Sequence, residues 1–375
     1  MYENIDAYID SLLKGSTPDK PLWNIESIRQ GKPAHWNYID GCMMTALLNF
    51  AEITGDKKYS DFVCDFIDYY VGDDGSILGY SKDKYNLDDI NEGRVLFDLY
   101  DMTGKEKYLK AIERLHAQIV EQPRTNTGNF WHKQIYPNQI WLDGIYMAQV
   151  FYVRYQLKNG GSLSDTMSQI KNVRKYMFSE EKGLCYHGMD CSKSAFWADK
   201  QTGLSKNFWL RAIGWFTVAL ADIIAYTDGS DREEFISVFR DVIKGISQYA
   251  DPETGMYYQV VDCGGREGNY LETSGSSMIA YAMLKGARLG VIDERYAALG
   301  RKTFDGICKK YLTVSENGEL HLGGICLVAG LGPEDNKRRD GSYEYYISEP
   351  VVENDAKGVA PFLLCYTEVL RTQKN

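Results

Sequence analysis

The chain has 375 residues, 44% hydrophobic and 25% charged, which is ample for a globular protein with a large core. A formal net charge of −10 excludes the basic footprint that nucleic-acid binding requires. No apolar run is long enough to span a bilayer, and Glu3, Asp6, Asp10 and Lys14 stand where a signal peptide needs an apolar stretch, which predicts a cytoplasmic protein without a membrane partner.

The first apolar helical run, Met43 to Ile53, ends at Thr54-Gly55-Asp56-Lys57-Lys58-Tyr59, and an amphipathic run from Phe62 to Val71 follows. The pattern returns as Arg94 to Met102, then Thr103-Gly104-Lys105-Glu106-Lys107-Tyr108, then Leu109 to Val120. Each copy reads as helix, Gly turn, helix. Such a repeat organises the whole chain. Six apolar segments carry a Gly near their start: Gly41, Gly93, Gly144, Gly214, Gly275 and Gly358. Between the hairpins, Gly75 to Tyr80, Gly128 to His132, Gly183 to His187, Gly255 to Gln259 and Gly318 to Leu322 each pair a turn Gly with a short strand-like stretch. Six apolar inner helices ringed by six more polar partners predict an all-α chain folded as an (α/α)6 barrel, its loops gathered at one end. No Pro/Ser-rich linker divides residues 1–375, so a single catalytic domain is expected.

Eight dispersed cysteines, with no C-x-x-C pair, read as reduced thiols. The nearest thing to a metal cluster, Cys185 and Cys191 with His187 and Asp190, lacks a second half, so neither metal nor other cofactor is expected. Aromatics make up 13% of the chain; their faces fill cores or pack against sugar rings, and position decides between the two.

The loop-to-helix junctions hold the polar residues. Asn86-Leu-Asp-Asp-Ile-Asn91 places Asp88 and Asp89 where a helix begins, and Asp89 reads as its cap. Trp141-Leu142-Asp143-Gly144 opens the third inner helix. Asp143 stands between Trp141 and Tyr146, where apolar walls and a nearby carboxylate would favour its neutral form, as a general acid requires. His132 and His187, each four residues past a loop Gly, are expected to face one mouth. Arg211 lies between Trp209 and Trp215 on an apolar helix and needs a partner, either a protein carboxylate or an anionic substrate. His35, His116 and the run Lys337-Arg338-Arg339 read as solvated or locally satisfied.

These residues stand in a pattern that resembles the unsaturated rhamnogalacturonyl hydrolases of glycoside hydrolase family 105 and, more distantly, the unsaturated glucuronyl hydrolases of family 88. The carriers, in order, are Asn86 to Asn91, Phe130-Trp-His-Lys133, Tyr136-Pro-Asn-Gln-Ile-Trp-Leu-Asp-Gly144, Phe208 to Trp215, Arg266 to Glu272 and Gly341-Ser-Tyr-Glu-Tyr-Tyr-Ile-Ser-Glu-Pro350. The resemblance implies an oligosaccharide substrate ending in a 4,5-unsaturated galacturonyl residue, released by acid-catalysed hydration of its C4=C5 vinyl ether. It implies Asp143 as the acid, Asp88 as the second acidic position, and a sugar pocket shaped by His132, Lys133, Trp141, His187, Arg211 and Trp215, with Tyr38 and Asp40 at its N-terminal part. Competing readings are an unsaturated glucuronyl hydrolase acting on another lyase product, a sugar 2-epimerase moving protons with His132 and His187, and a silent carbohydrate-binding barrel.

Overall fold

In the computed structural model, which describes residues 4–374, each Thr-Gly turn of the repeat is a helix end. Thr54 and Thr103 donate their hydroxyls back to the Phe50 and Leu99 carbonyls, and Gly55 (φ 73°) and Gly104 (φ 67°) close the helices in the left-handed conformation. The Tyr ending each motif is buried and ties its helix to a preceding one: Tyr59 OH donates to Asp10 at 3.0 Å and Tyr108 OH to Asp68 at 2.5 Å. The repeat is thus a capping device plus a tether.

The long helices are α1 (Ile5–Lys14), α2 (Tyr38–Thr54), α3 (Lys57–Tyr70), α4 (Arg94–Thr103), α5 (Glu106–Glu121), α6 (Leu142–Lys158), α7 (Ser164–Tyr176), α8 (Leu210–Tyr226), α9 (Gly229–Ile246), α10 (Thr273–Arg288), α11 (Glu294–Tyr311) and α12 (Ala356–Lys374). From α2 on, even-numbered helices form the inner ring, and α12 packs on α2 to close it. Tyr59 and Asp10 link α1 to α3, and Tyr8 OH reaches Asn354 just before α12. The arrangement is an (α/α)6 barrel. Burial separates the rings: α8 is buried continuously over 210–224, whereas α9 buries only the stripe of Phe235, Ile236, Val238, Phe239, Val242 and Ile243 with its last turn.

The inner-helix glycines lie at the head of each helix because neighbours press there. A Cβ on Gly214 would stand 2.7 Å from Met278 Sδ on the facing α10. The strand-like stretches are hairpin arms: Val71 bridges Ile77, Arg124 bridges Phe130, and Phe178–Ser179 pairs with Leu184–Cys185 around turn glycines at positive φ. The N-terminal turns of the inner helices meet at one end, the mouth, where the Tyr38 ring stands edge-on to Trp215 at 6.3 Å. Toward their C-terminal ends lies a cavity of about 480 Å³ lined by residues such as Asp98, Arg154, Asp222, Tyr281 and Lys285, together with Arg94 from the start of α4. Among the described residues, no helix is long and apolar enough to cross a membrane.

Candidate active site

A two-stranded ladder assembles the centre of the mouth. Strand β1 (Gln139–Trp141) pairs antiparallel with β2 (Gly188–Asp190), with Trp141 opposite Gly188. Leu142 N–H then donates to the His187 carbonyl at 3.1 Å, so the residues flanking the ladder stand side by side. Asp143, in the first turn of α6, thereby faces His187, with Oδ2 at 3.3 Å from Nε2. Tyr346 OH lies 2.7 Å from His187 Nδ1, on the other edge of the ring.

Trp141 is the hub. His132 stacks on it at 4.6 Å, Tyr136 at 4.5 Å, and His187 meets it edge-on at 5.4 Å. Gly144 admits this arrangement, because a Cβ there would come within 3.0 Å of His132 Nδ1. Behind His132, Asp88 Oδ1 lies 3.6 Å from Nε2, while its other oxygen accepts from Lys133 Nζ at 2.5 Å. The expectation that His132 and His187 share one mouth agrees with this geometry. Asp88, Lys133, Tyr38 and Asn37 line a cavity of about 270 Å³ beside them.

The electrostatics correct one expectation. Burial pushes the Asp143 carboxyl up, but the hydrogen bond and charge of His187, with the charge of His132, outweigh it and hold Asp143 below the usual carboxylate range. Asp88 stands behind His132 and Lys133, so it does not supply the expected push. Burial lowers His132 to about 4; Lys133 and His187 add to that, and Asp88 and Asp143 oppose it.

Several residues fall elsewhere. Asp40 points away from the cavity: its Oδ1 accepts Trp23 Nε1–H at 2.7 Å inside the core, and burial pushes its carboxyl up to about 7. Arg211 is fully buried and satisfied by protein groups, donating to Ser274 Oγ and to the carbonyls of Cys326 and Leu327, with Glu272 at 3.6 Å. The protein-partner alternative therefore describes Arg211. Trp215 stacks on Tyr146 at 4.4 Å within the inner ring. Asp89 is not a cap; its side chain accepts from Asn86 Nδ2, and the Asn86 side chain takes the capping role at Asp88 N–H. Burial and the Asp88 charge push Asp89 up to about 7. His35 lines the mouth cavity, whereas His116 stacks on Tyr155 at 3.5 Å. Lys337 and Arg338 are exposed, but Arg339 is half-buried, its charge facing Tyr136. Cys185 is buried, and no group of three or more metal-ligating side chains gathers among the described residues.

Two contributors escape a reading of the sequence. Asp190, fully buried, accepts backbone N–H bonds from Ser192, Ser194 and Ala195 and so folds the loop leading to Trp197, which belongs to the same buried apolar cluster as Trp141 and Tyr136. Tyr346 is the other. Each lies in a stretch the sequence singles out, Cys185 to Cys191 and Gly341 to Pro350, but not in the role the structure gives it.

The glycosyl hydrolase family 88 profile matches residues 19–373. A glycoside hydrolase of family 105 from C. acetobutylicum ATCC 824 superimposes with a TM-score of 0.88 and 40% identity, over 97% of this chain and 99% of that one. Protein Atu3128 of Agrobacterium fabrum is 42% identical over 231 residues, covering 60% of this chain and 98% of that protein. An unsaturated glucuronyl hydrolase specific for heparin is similar in fold, with a TM-score of 0.70 and 15% identity over 98% of this chain and 95% of that one.

Proposed function

The chain belongs to glycosyl hydrolase family 88, on the family 105 side of the unsaturated uronyl hydrolases, and from that premise we propose that it acts on a 4,5-unsaturated galacturonyl residue linked to rhamnose, the end left by a pectin lyase on rhamnogalacturonan. The observation that carries the reading is the setting of Asp143: a buried carboxyl in the first turn of α6, walled by Trp141 and facing His187 at 3.3 Å.

Asp143 gives its proton to C4 of the vinyl ether. Positive charge develops on C5 and the ring oxygen, and water adds at C5 while the Asp143 carboxylate takes its proton. The hemiketal opens by breaking the bond from C5 to the ring oxygen, and the hemiacetal left at C1 releases the neighbouring sugar. Asp88, Lys133, His132 and Tyr38 hold the sugar beside Trp141, and Trp215 backs Tyr38. In the protein alone the imidazoles hold Asp143 ionised. The uronate of the bound substrate and the loss of water push the carboxyl up, so that it carries a proton when the double bond arrives. Accordingly, the alkaline limb of kcat, which reports the complex, lies at higher pH than that of kcat/KM, which reports the free enzyme. The eight cysteines are all unpaired, which favours action in a reducing cytoplasm on oligosaccharides already taken up.

Loss of the enol-ether absorbance across a panel of unsaturated disaccharides tests the reading. The rhamnose-linked galacturonyl compound should be consumed with the highest kcat/KM. Preference for a glucuronyl disaccharide would move the assignment to another lyase product, and no loss with any member would overturn it.

A further inference from the structure

Asp143 as acid leaves the buried hydroxyl of Tyr346, at the mouth, without a task. Tyr346 is fully buried on the short helix Tyr343–Ser348, which Ser342 caps through its side chain. Its ring stacks on Trp209 at 5.9 Å, its carbonyl accepts from Gln259 Nε2 at 3.2 Å, and its hydroxyl meets His187 Nδ1 at 2.7 Å. Trp209, at 4.7 Å, and Trp141 wall the imidazole and hold its orientation. On the far edge of the ring, Nε2 and Asp143 Oδ2 face each other at 3.3 Å, and neither has a hydrogen-bond partner elsewhere among the described residues.

A neutral imidazole carries one N–H, and the partner of one nitrogen decides which nitrogen that is. If Tyr346 donates to Nδ1, the proton sits on Nε2 and points at the Asp143 carboxylate. If Tyr346 accepts from Nδ1–H, a lone pair faces Asp143 instead, an arrangement suited to the protonated acid. Tyr345, Asp340 and Cys326 are the titratable groups around Tyr346 besides Asp143, and none accepts its hydroxyl proton among the described residues. We infer that Tyr346 is a positioning residue for the reaction: by donating to His187 Nδ1 it keeps the Nε2–H of that ring aimed at Asp143, and so sets how readily Asp143 holds its proton. The inference rests on Asp143 being the acid. His132, with Asp88 and Lys133 behind it, also bears on Asp143 through its charge.

The test is Tyr346→Phe, which keeps the ring packing and removes the hydroxyl. The Asp143 carboxylate loses a fixed donor, so its proton affinity rises. The alkaline limb of kcat/KM should move to higher pH by about half a unit or more, with KM within about twofold of wild type. A pH profile that superimposes on the wild type, at any level of turnover, overturns the inference, since a purely structural role changes rate or stability without moving the limb. Independently of how the variant folds, ¹⁵N NMR of the wild-type protein above the Asp143 ionisation should find His187 protonated on Nε2; protonation on Nδ1 overturns the inference as well. If Asp143→Asn keeps near-normal turnover, the acid assignment and this inference fall together. If Asp143→Asn is inactive while the Tyr346→Phe profile is unmoved, only the role of Tyr346 falls.

Discussion

The two ends of the barrel handle buried charge in opposite ways. At the far end, Asp222 accepts from Arg94 at 2.6 Å, Lys285 at 2.8 Å and Tyr281 OH at 2.8 Å; burial pushes it up, but the two cations bring it down to about 2. Among the described residues at the mouth, Asp143 Oδ2 and His187 Nε2 meet only each other, at 3.3 Å, and His132 Nδ1 has no hydrogen-bond partner; in the core beneath them Asp40 Oδ2 and Glu92 Oε1 likewise have none. Burial drives Glu92 well above its usual range, with the charge of Asp40 adding to it, and Asp40 and Asp89 rise to about 7. Groups that must exchange protons or take new partners are left incompletely satisfied, while the opposite end is closed off by ion pairs. Among the described residues, two far-end atoms depart from this: Arg94 Nη1 and Arg371 Nε lack hydrogen-bond partners, the Arg94 guanidinium standing over the Tyr146 ring at 4.9 Å and Arg371 Nε lying 3.6 Å from Glu368.

The contrast predicts that substitutions at the two ends fail differently. Asp143→Asn keeps size and polarity but removes the acidic proton, so turnover should fall by roughly 10² to 10⁴ while stability stays near wild type; isothermal binding of an unsaturated disaccharide should survive. Asp222→Ala leaves Arg94 and Lys285 buried without their carboxylate and should cost about 3–5 kcal/mol in denaturant unfolding, with kcat of the folded fraction unchanged. An Asp222 variant that loses kcat at unchanged stability would erase the division between the ends.

Stability against pH sharpens the comparison, because the signs differ. Asp222 is depressed when folded, so its contribution is present above the unfolded value of 3.8 and is lost as pH falls through about 2. Asp40 and Asp89 are raised when folded, so theirs is full below 3.8 and is lost as pH rises through about 7. Thermal unfolding should therefore show a maximum between these limits. Asp89→Asn should flatten the alkaline decline and leave the acid limb in place; an unaltered alkaline slope would mean that Asp89 is ionised at no cost.

The parts of this legible in the sequence are those encoded locally. Thr54-Gly55 and Thr103-Gly104 cap helices through their own neighbours, so the repeat reveals the hairpins and hence the barrel. Trp141 and Asp143 lie two residues apart on the chain, and His132 and His187 follow turn glycines, so their gathering at one mouth is readable too. What escapes depends on packing. Asp40 and Asp88 each open or precede an inner helix, yet one side chain turns to Trp23 and the other to Lys133. The direction of the Asp143 shift follows from a 3.3 Å approach by His187 that spacing does not reveal. Tyr346 lies 159 residues from the imidazole it touches.

The smallest expected effect asks whether position in the barrel or exposure governs these energies. Asp98 lies at the same far end as Asp222 and makes a two-pronged bond to Arg154, with distances of 2.7 and 2.8 Å. Its side chain is 41% exposed against 5% for Asp222, so water already solvates the carboxylate and competes for the guanidinium. Arg154 also donates to the Arg94 carbonyl and lies over the Phe97 ring at 4.9 Å, so it keeps partners when the carboxylate goes. Asp98→Asn should therefore cost about 1 kcal/mol or less, and the difference from wild type should shrink further as salt is raised in the unfolding experiment. A loss as large as that of Asp222→Ala, unchanged by salt, would show that the far end acts as one cooperative charge network in which exposure does not matter.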